Sequence, residues 1–284
     1  MKADRAGPVP LGCGQCSACR QYRRRVWSAR QLLESFTHDE NCFLTLTYND
    51  ETLPSDGSVS PRDLQLFLKR LRLSVSPTPV RFFGVGEYGD RTERPHYHLS
   101  LFGMSPFGVY GRATGQEHFE RSWGKGIAFA AEFNGSTAGY VAGYVTKKLT
   151  KPTAELGGRH PEFARMSNRP GIGFPAIDYL TSSTSKEAGF DAQPDVPTSL
   201  KLGRRSLVMG RYLRNKYREF YGFTPDYIQS LKHETMDKAA AEMQLLLVST
   251  PGATSHKQAY LLSIEQKLAN HIAKQKIRES ARSL

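Results

Sequence analysis

Long apolar runs are missing from this chain of 284 residues, so no segment is expected to cross a bilayer as a helix. The opening stretch MKADRAGPVPLGCGQC lacks an apolar core of the signal-peptide kind, and the expectation is a cytoplasmic protein. Cysteine is scarce, at 4 residues, and in a reducing compartment that excludes a fold stapled by disulfides. No internal repeat is found, which argues against a solenoid. Acidic residues are also in short supply. Against 39 Lys and Arg stand 27 Asp and Glu, a formal net charge of +12 that suits a polyanionic partner such as nucleic acid. What remains is an ordinary globular mixture, 39% hydrophobic and 23% charged, long enough for one or two domains with a sizeable core.

Three zones follow along the chain. Residues 1–40 are rich in Cys and Arg, and residues 41–151 alternate strand and helix signals. In that middle zone NCFLTLTY (Asn41 to Tyr48), VRFFGVGEYG (Val80 to Gly89), HYHLSLFG and GIAFAAEF (Gly126 to Phe133) read as strands. Ser60 and Pro61 open a helix with a stripe of Leu64, Phe67, Leu68 and Leu71, and STAGYVAGYVTKKLTK reads as a second helix opened by Ser136 or Thr137. This order predicts an α+β fold, a central antiparallel or mixed sheet with flanking helices. Residues 152–206 read as an irregular or linker region, with TSSTSKEAGFDAQPDVPTS its most loop-like part. Residues 207–284 read as helical, with a helix start at Thr224 and Pro225 and a face of Leu261, Ile264, Leu268 and Ile272.

The chemistry begins at RPHYHLSLFG, where His96 and His98 are two apart in a strand and share a face opposite Leu99 and Leu101. Two imidazoles on one face can grip one metal ion, and Glu87, near the end of the preceding strand, is the best-placed third ligand. Mg²⁺ or Mn²⁺ would suit that set and a phosphate substrate. Taken alone, an H-x-H pair is equally what two solvated strand histidines look like.

GYVAGYVTKK adds a second group. Tyr140 and Tyr144 are four apart and stack on one helical face. At about 100° per residue Lys147 falls within about 20° of Tyr140, and Lys148 lies about 40° from Tyr144. Phenols beside ammonium groups and a metal-bound phosphate can attack a phosphodiester and leave a phosphotyrosyl link. An amphipathic helix with half-buried tyrosines has the same spacing.

Together, FLTLTY, RPHYHLSLFG and YVAGYVTKK resemble the HUH endonucleases, and among them the replication initiators of microviruses, with CGQCSACR and RRRVWSAR similar to the gokushovirus-type branch. The resemblance covers about residues 41–151, here the nicking domain, and implies a central antiparallel sheet. It implies a metal-dependent nick in single-stranded viral origin DNA, a 5′-phosphotyrosyl link, rolling-circle synthesis from the 3′ hydroxyl, and later rejoining. His96, His98 and Glu87 would be the metal ligands, Tyr140 and Tyr144 the nucleophiles, and Lys147 matches a family lysine. Host replication helicase and polymerase would be partners, in the host cell cytoplasm. The rivals are a plasmid initiator or HUH transposase, a hydrolytic metal phosphodiesterase, and a non-catalytic DNA-binding protein.

Two further groups remain. Cys13, Cys16 and Cys19 have CxxCxxC spacing, an incomplete match to a Zn²⁺ site, with free thiols the alternative; Cys42 reads as a small core residue. Arg20, Arg23, Arg24, Arg25 and Arg30 can track a DNA backbone while Trp27 or Tyr22 stacks on a base, or they form a solvated helix face.

Overall fold

The computed structural model describes residues 14–89, 91–147, 156–177, 195–203 and 205–280. They fall into two compact units, one ending at Tyr221 and one starting at Gly222.

The first unit is built on a five-stranded antiparallel sheet. Its strands are β1 (Asn41–Tyr48), β2 (Arg81–Tyr88), β3 (Pro95–Phe102), β6 (Gly126–Glu132) and β7 (Phe163–Met166), in the order β6-β1-β3-β2-β7. Two short strands, β4 (Val109–Tyr110) and β5 (Ala113–Thr114), pair beside it. The α+β expectation holds, and β1 begins and ends where the sequence placed it. β7 is an addition: it comes from the region read as irregular and becomes an edge of the main sheet, pairing Ala164 with Val85.

Alternation along the strands gives the sheet two different faces. Cys42, Leu44, Leu46, Tyr97, Leu99 and Leu101 point to one side and form a core with helices α2 (Pro61–Ser74) and α3 (Gly115–Trp123). The expected α2 stripe is buried there, Leu64, Phe67, Leu68 and Leu71 together. Its start is capped as read from the sequence, Ser60 Oγ accepting from Asp63 N–H at 3.0 Å. Burial also raises the Cys42 thiol, in keeping with its role as a core residue.

The other face carries Phe43, Phe83, Val85 and Phe102, packed against α4 (Gly135–Lys147) and Trp27 of α1 (Ser17–Ser35). The opening residue of α4 differs from the expectation. Asn134, not Ser136 or Thr137, caps it, its Oδ1 accepting from both of their N–H groups at 2.8 and 3.1 Å. Asx side chains reach the second and third amides of a helix readily, so the earlier residue takes the cap.

On its far side α1 meets a further cluster of Val196, Leu200, Leu207, Met209, Leu213 and Tyr217. These come from the hairpin β8 (Ser199–Leu202) and β9 (Arg205–Val208) and from helix α5 (Gly210–Phe220). Helix α5 therefore packs in the first unit.

The second unit contains α6 (Pro225–Ser249) and α7 (His256–Ser280). Thr224 Oγ1 accepts from Tyr227 N–H at 3.2 Å, capping α6 as expected. Little of this unit is buried. Of the expected stripe, Leu261 and Ile264 remain exposed, and the side chains of Leu268 and Ile272 lie outside the described residues. No helix among the described residues is long and apolar enough to cross a membrane.

Candidate active site

The register of β3 builds the site. His96 pairs with Glu87 on β2 and with Thr47 on β1, while His98 pairs with Val85 and Thr45. All of these side chains stand on the α4 side of the sheet. Glu87 Oε1 meets His96 Nε2 at 2.9 Å and His98 Nε2 at 3.1 Å. One ligand atom from each of the three residues lies within 4.8 Å of the others, so the group can hold a metal ion.

The outer nitrogens of both rings are occupied. His96 Nδ1 faces the Arg94 carbonyl at 3.0 Å, and His98 Nδ1 faces Thr45 Oγ1 at 2.9 Å. A histidine donating its Nδ1 hydrogen to the carbonyl presents an unprotonated Nε2, the form a metal needs. Burial lowers the His98 pKa below the usual imidazole value, which also favours the neutral ring. Burial works to raise the Glu87 carboxyl, but hydrogen bonds and charge from both histidines outweigh it and hold the carboxyl low. Glu87 Oε2 is buried with no hydrogen-bond partner among the described residues. An unsatisfied buried carboxylate oxygen is costly, and a cation would satisfy it. The residues therefore fit a divalent ion.

The tyrosines are in reach of this cluster. Tyr144 donates its hydroxyl hydrogen to Tyr140 Oη at 2.5 Å, and Tyr140 Oη lies 3.5 Å from His98 Nε2. The rings continue the contact: Tyr144 stacks on His98 at 5.3 Å between centroids, and Tyr140 meets it edge-on at 5.1 Å. Burial, the hydrogen bond to Tyr140 and the neighbouring Glu87 charge push the Tyr144 phenol up. Lys147 is the last residue of α4, and its side chain lies outside the described residues, as does Lys148 entirely.

The arginines of α1 divide between two roles. Arg20 and Arg24 line a cleft of about 420 Å³ with Gln21, Tyr140, Gly143 and Tyr144. Arg24 and Arg25 also line a second groove, of about 650 Å³, with Ser136 and Arg205. Arg23 reaches the Gly14 carbonyl at 3.5 Å. Arg30 and Trp27 depart from the expectation of DNA contacts. Arg30 is buried, bonded to the Ile172 carbonyl at 2.8 Å and stacked between Trp27 and Tyr212 at 4.2 and 4.3 Å. Burial pushes its pKa down to about 10. Trp27 packs against Phe83 at 4.9 Å. A guanidinium so enclosed cannot follow a phosphate backbone. Tyr22 is exposed.

Of the cysteines, Cys13 lies outside the described residues, Cys16 is exposed at the start of α1 and Cys19 is half-buried. No metal-holding group including a cysteine occurs among the described residues.

Sequence reasoning missed two contributors. Thr45 was hidden because its partner His98 is 53 residues away, although LTLT in β1 already placed two hydroxyls on one strand face. Gln31 was hidden inside an Arg-rich helix. It accepts from Ser100 Oγ at 2.7 Å and donates to the Ala138 carbonyl at 3.4 Å, joining the histidine strand to the tyrosine helix.

Residues 41–149, which hold every one of these site residues outside α1, match the family model of the replication-associated protein ORF2 and gene II protein. These residues carry a phage-type replication-associated domain. Over 164 residues the chain is 33% identical to the replication-associated protein VP4 of Bdellovibrio phage phiMH2K, covering 52% of each chain. It is 28% identical over 280 residues to the replication-associated protein ORF2 of Spiroplasma virus 4, covering 92% of this chain and 83% of that one. Against the replication-associated protein ORF4 of Chlamydia phage 1 it is 37% identical over 100 residues, 34% of this chain and 25% of the other. The chain thus spans about half the length of the phiMH2K relative. No solved structure matches it.

Proposed function

We propose that this replication-associated protein is an initiator that nicks single-stranded viral origin DNA by tyrosine attack. It keeps the 5′ end as a phosphotyrosyl ester and later rejoins the strand. One observation carries the reading: two phenolic oxygens hydrogen-bonded to each other end 3.5 Å from an imidazole nitrogen of the Glu87–His96–His98 cluster.

Glu87, His96 and His98 would hold Mg²⁺ or Mn²⁺, which when bound supplies positive charge to the phosphate oxygens as the bond changes hands. Tyr140 or Tyr144 forms an Oη–P bond as the P–O3′ bond breaks. The phenol gives up one proton and O3′ takes up one, so no cofactor is consumed. The energy of the broken linkage stays in the ester, and the reverse attack by a 3′ hydroxyl reseals the strand. Arg20 and Arg24 on the cleft wall offer charge to the strand as it enters. Host helicase and polymerase are the partners this reading calls for, in the host cytoplasm.

The test uses single-stranded oligonucleotides tiling the phage viral strand, incubated with protein and Mn²⁺ and run on a denaturing gel. A slow protein–DNA band is expected, lost in the variant carrying Tyr140→Phe and Tyr144→Phe and lost in His96→Ala with His98→Ala. Cleavage without a band would favour a hydrolytic phosphodiesterase, and binding without cleavage a non-catalytic DNA-binding protein. Plasmid initiators and HUH transposases often use one tyrosine, so loss of all adduct in Tyr140→Phe or Tyr144→Phe alone would favour them.

A further inference from the structure

The sheet face that carries the histidines does not end at them. Across β1, Thr47 lies between His96 and Ile127, and Thr45 between His98 and Phe129. Directly paired residues share a face, so Ile127 and Phe129 extend the two histidine rows onto the outer strand β6. The entry to β6 is tight. Gly126 has a φ of +139°, and a Cβ there would come within 2.3 Å of the Thr47 carbonyl.

The two faces of β6 are used differently. Ala128 is buried in the core on the opposite side and Ala130 packs against it. Ile127 and Phe129 are 69% and 60% exposed. Edge strands ordinarily place charge or short polar groups at such positions. Only Thr45 and Thr47, both partly exposed, stand between these two side chains and the imidazoles. No bulky group in those rows walls them off from the metal-holding cluster.

We infer that Ile127 and Phe129 form a stacking floor for unpaired bases of the DNA strand held at the histidine–glutamate cluster. The inference rests on reading that cluster as the cutting site. Continuity with the cluster selects the occupant, and an apolar, aromatic surface in a protein of net charge +12 fits bases whose backbone is held by cations elsewhere. Neighbouring strands are about 4.8 Å apart, so Phe129 sits roughly 10 Å from His98. At about 3.4 Å per stacked nucleotide, that places the stacked base two or three nucleotides from the phosphate under attack. A duplex buries its base faces and cannot use such a floor.

The experiment uses the full chain carrying Tyr140→Phe and Tyr144→Phe, so that no adduct forms, and a fluorescein-labelled viral-strand oligonucleotide read by anisotropy at fixed salt. Phe129→Ala is expected to weaken single-strand binding about tenfold, with Phe129→Trp restoring it and duplex binding unchanged. The slope of affinity against salt should stay the same, because no charge is lost. In a set of oligonucleotides each missing one base, a single position two or three nucleotides from the cut should cost the parent about tenfold and cost Phe129→Ala nothing.

Unchanged affinity in Phe129→Ala, or no position coupled to it, overturns the inference. A fall of several degrees in the melting temperature of Phe129→Ala also overturns it, since the ring would then be covered by the rest of the chain. So does a dimer seen by sedimentation that Phe129→Ala dissociates. The nicking reading is judged separately on the denaturing gel: binding can depend on Phe129 with no adduct ever formed, and an adduct can form with Phe129 irrelevant.

Discussion

Thr45 shows what a single neutral side chain can do at the centre of this molecule. Its hydroxyl meets His98 Nδ1, fixing the ring that stands between Glu87 and the tyrosines. Thr45→Val keeps the shape and removes the hydrogen bond. Loss of such an orienting partner weakens metal binding by about 10- to 100-fold. Calorimetric titration with Mn²⁺ checks this, and an unchanged affinity would mean that His98 is held by packing alone. Glu87→Gln is the sharper change, since the amide keeps the contacts and removes the charge. It is expected to abolish Mn²⁺ binding in the same titration while the fold, followed by circular dichroism, survives. At this scale Glu87 was legible because a short turn puts it beside the histidines. Thr45 was not legible, because nothing local says which strand will lie against β3.

At the scale of elements, α1 is the surprise. Sequence reading found strands β1 and β3 readily, because apolar residues alternate there with threonine, serine and histidine. It treated α1 as a basic surface segment. The reason is physical: the inward positions of α1 include Arg24, Trp27, Arg30, Gln31 and Glu34, a mixed polar series that no apolar period reveals. These polar groups are bonded rather than solvated. Arg24 Nε reaches the Gly139 carbonyl at 2.8 Å, next to Tyr140, and a Cβ on Gly143 would lie 3.5 Å from Arg24 Nε, so small residues on α4 let the helices approach. Gln31→Leu leaves Ser100 without its buried partner and is expected to cost about 1–3 kcal/mol in urea unfolding.

Glu34 ties the same helix to β2 through Arg81 and to the 170s loop through Gly173 N–H, with His38 alongside. Burial works to raise its carboxyl, and these partners together bring it below the usual carboxylate value of 4.5. A depressed folded value means the contribution is complete above the unfolded pKa and fades as pH falls through the folded one. Glu34→Gln is therefore expected to destabilise by about 3 kcal/mol at neutral pH and to flatten the acid limb between about pH 5 and 3. Unfolding at a series of pH values checks both.

For the whole molecule, every described residue of the metal cluster and both tyrosines lie in the unit ending at Tyr221. Truncation after that residue is expected to leave Mn²⁺ affinity within twofold of the full chain, measured by the same titration. The charge imbalance belongs to this scale too. With +12 overall, binding to a random single strand should fall steeply between about 50 and 200 mM salt, each neutralised phosphate adding about 0.7 to the logarithmic slope. Composition announced that preference for polyanions. It could not announce that Arg30 would leave the surface, because burial of a cation between two rings is decided by residues far along the chain.

The hydrogen bond between the two phenols has an outcome of its own. Two oxygens that share one hydrogen cannot change independently. Once an ester caps Tyr140, its oxygen becomes a poor acceptor and Tyr144 must turn its hydrogen elsewhere. The vacant hydroxyl is thereby told that its twin is loaded, and a machine that must cut once and then cut again carries its count in a contact 2.5 Å long.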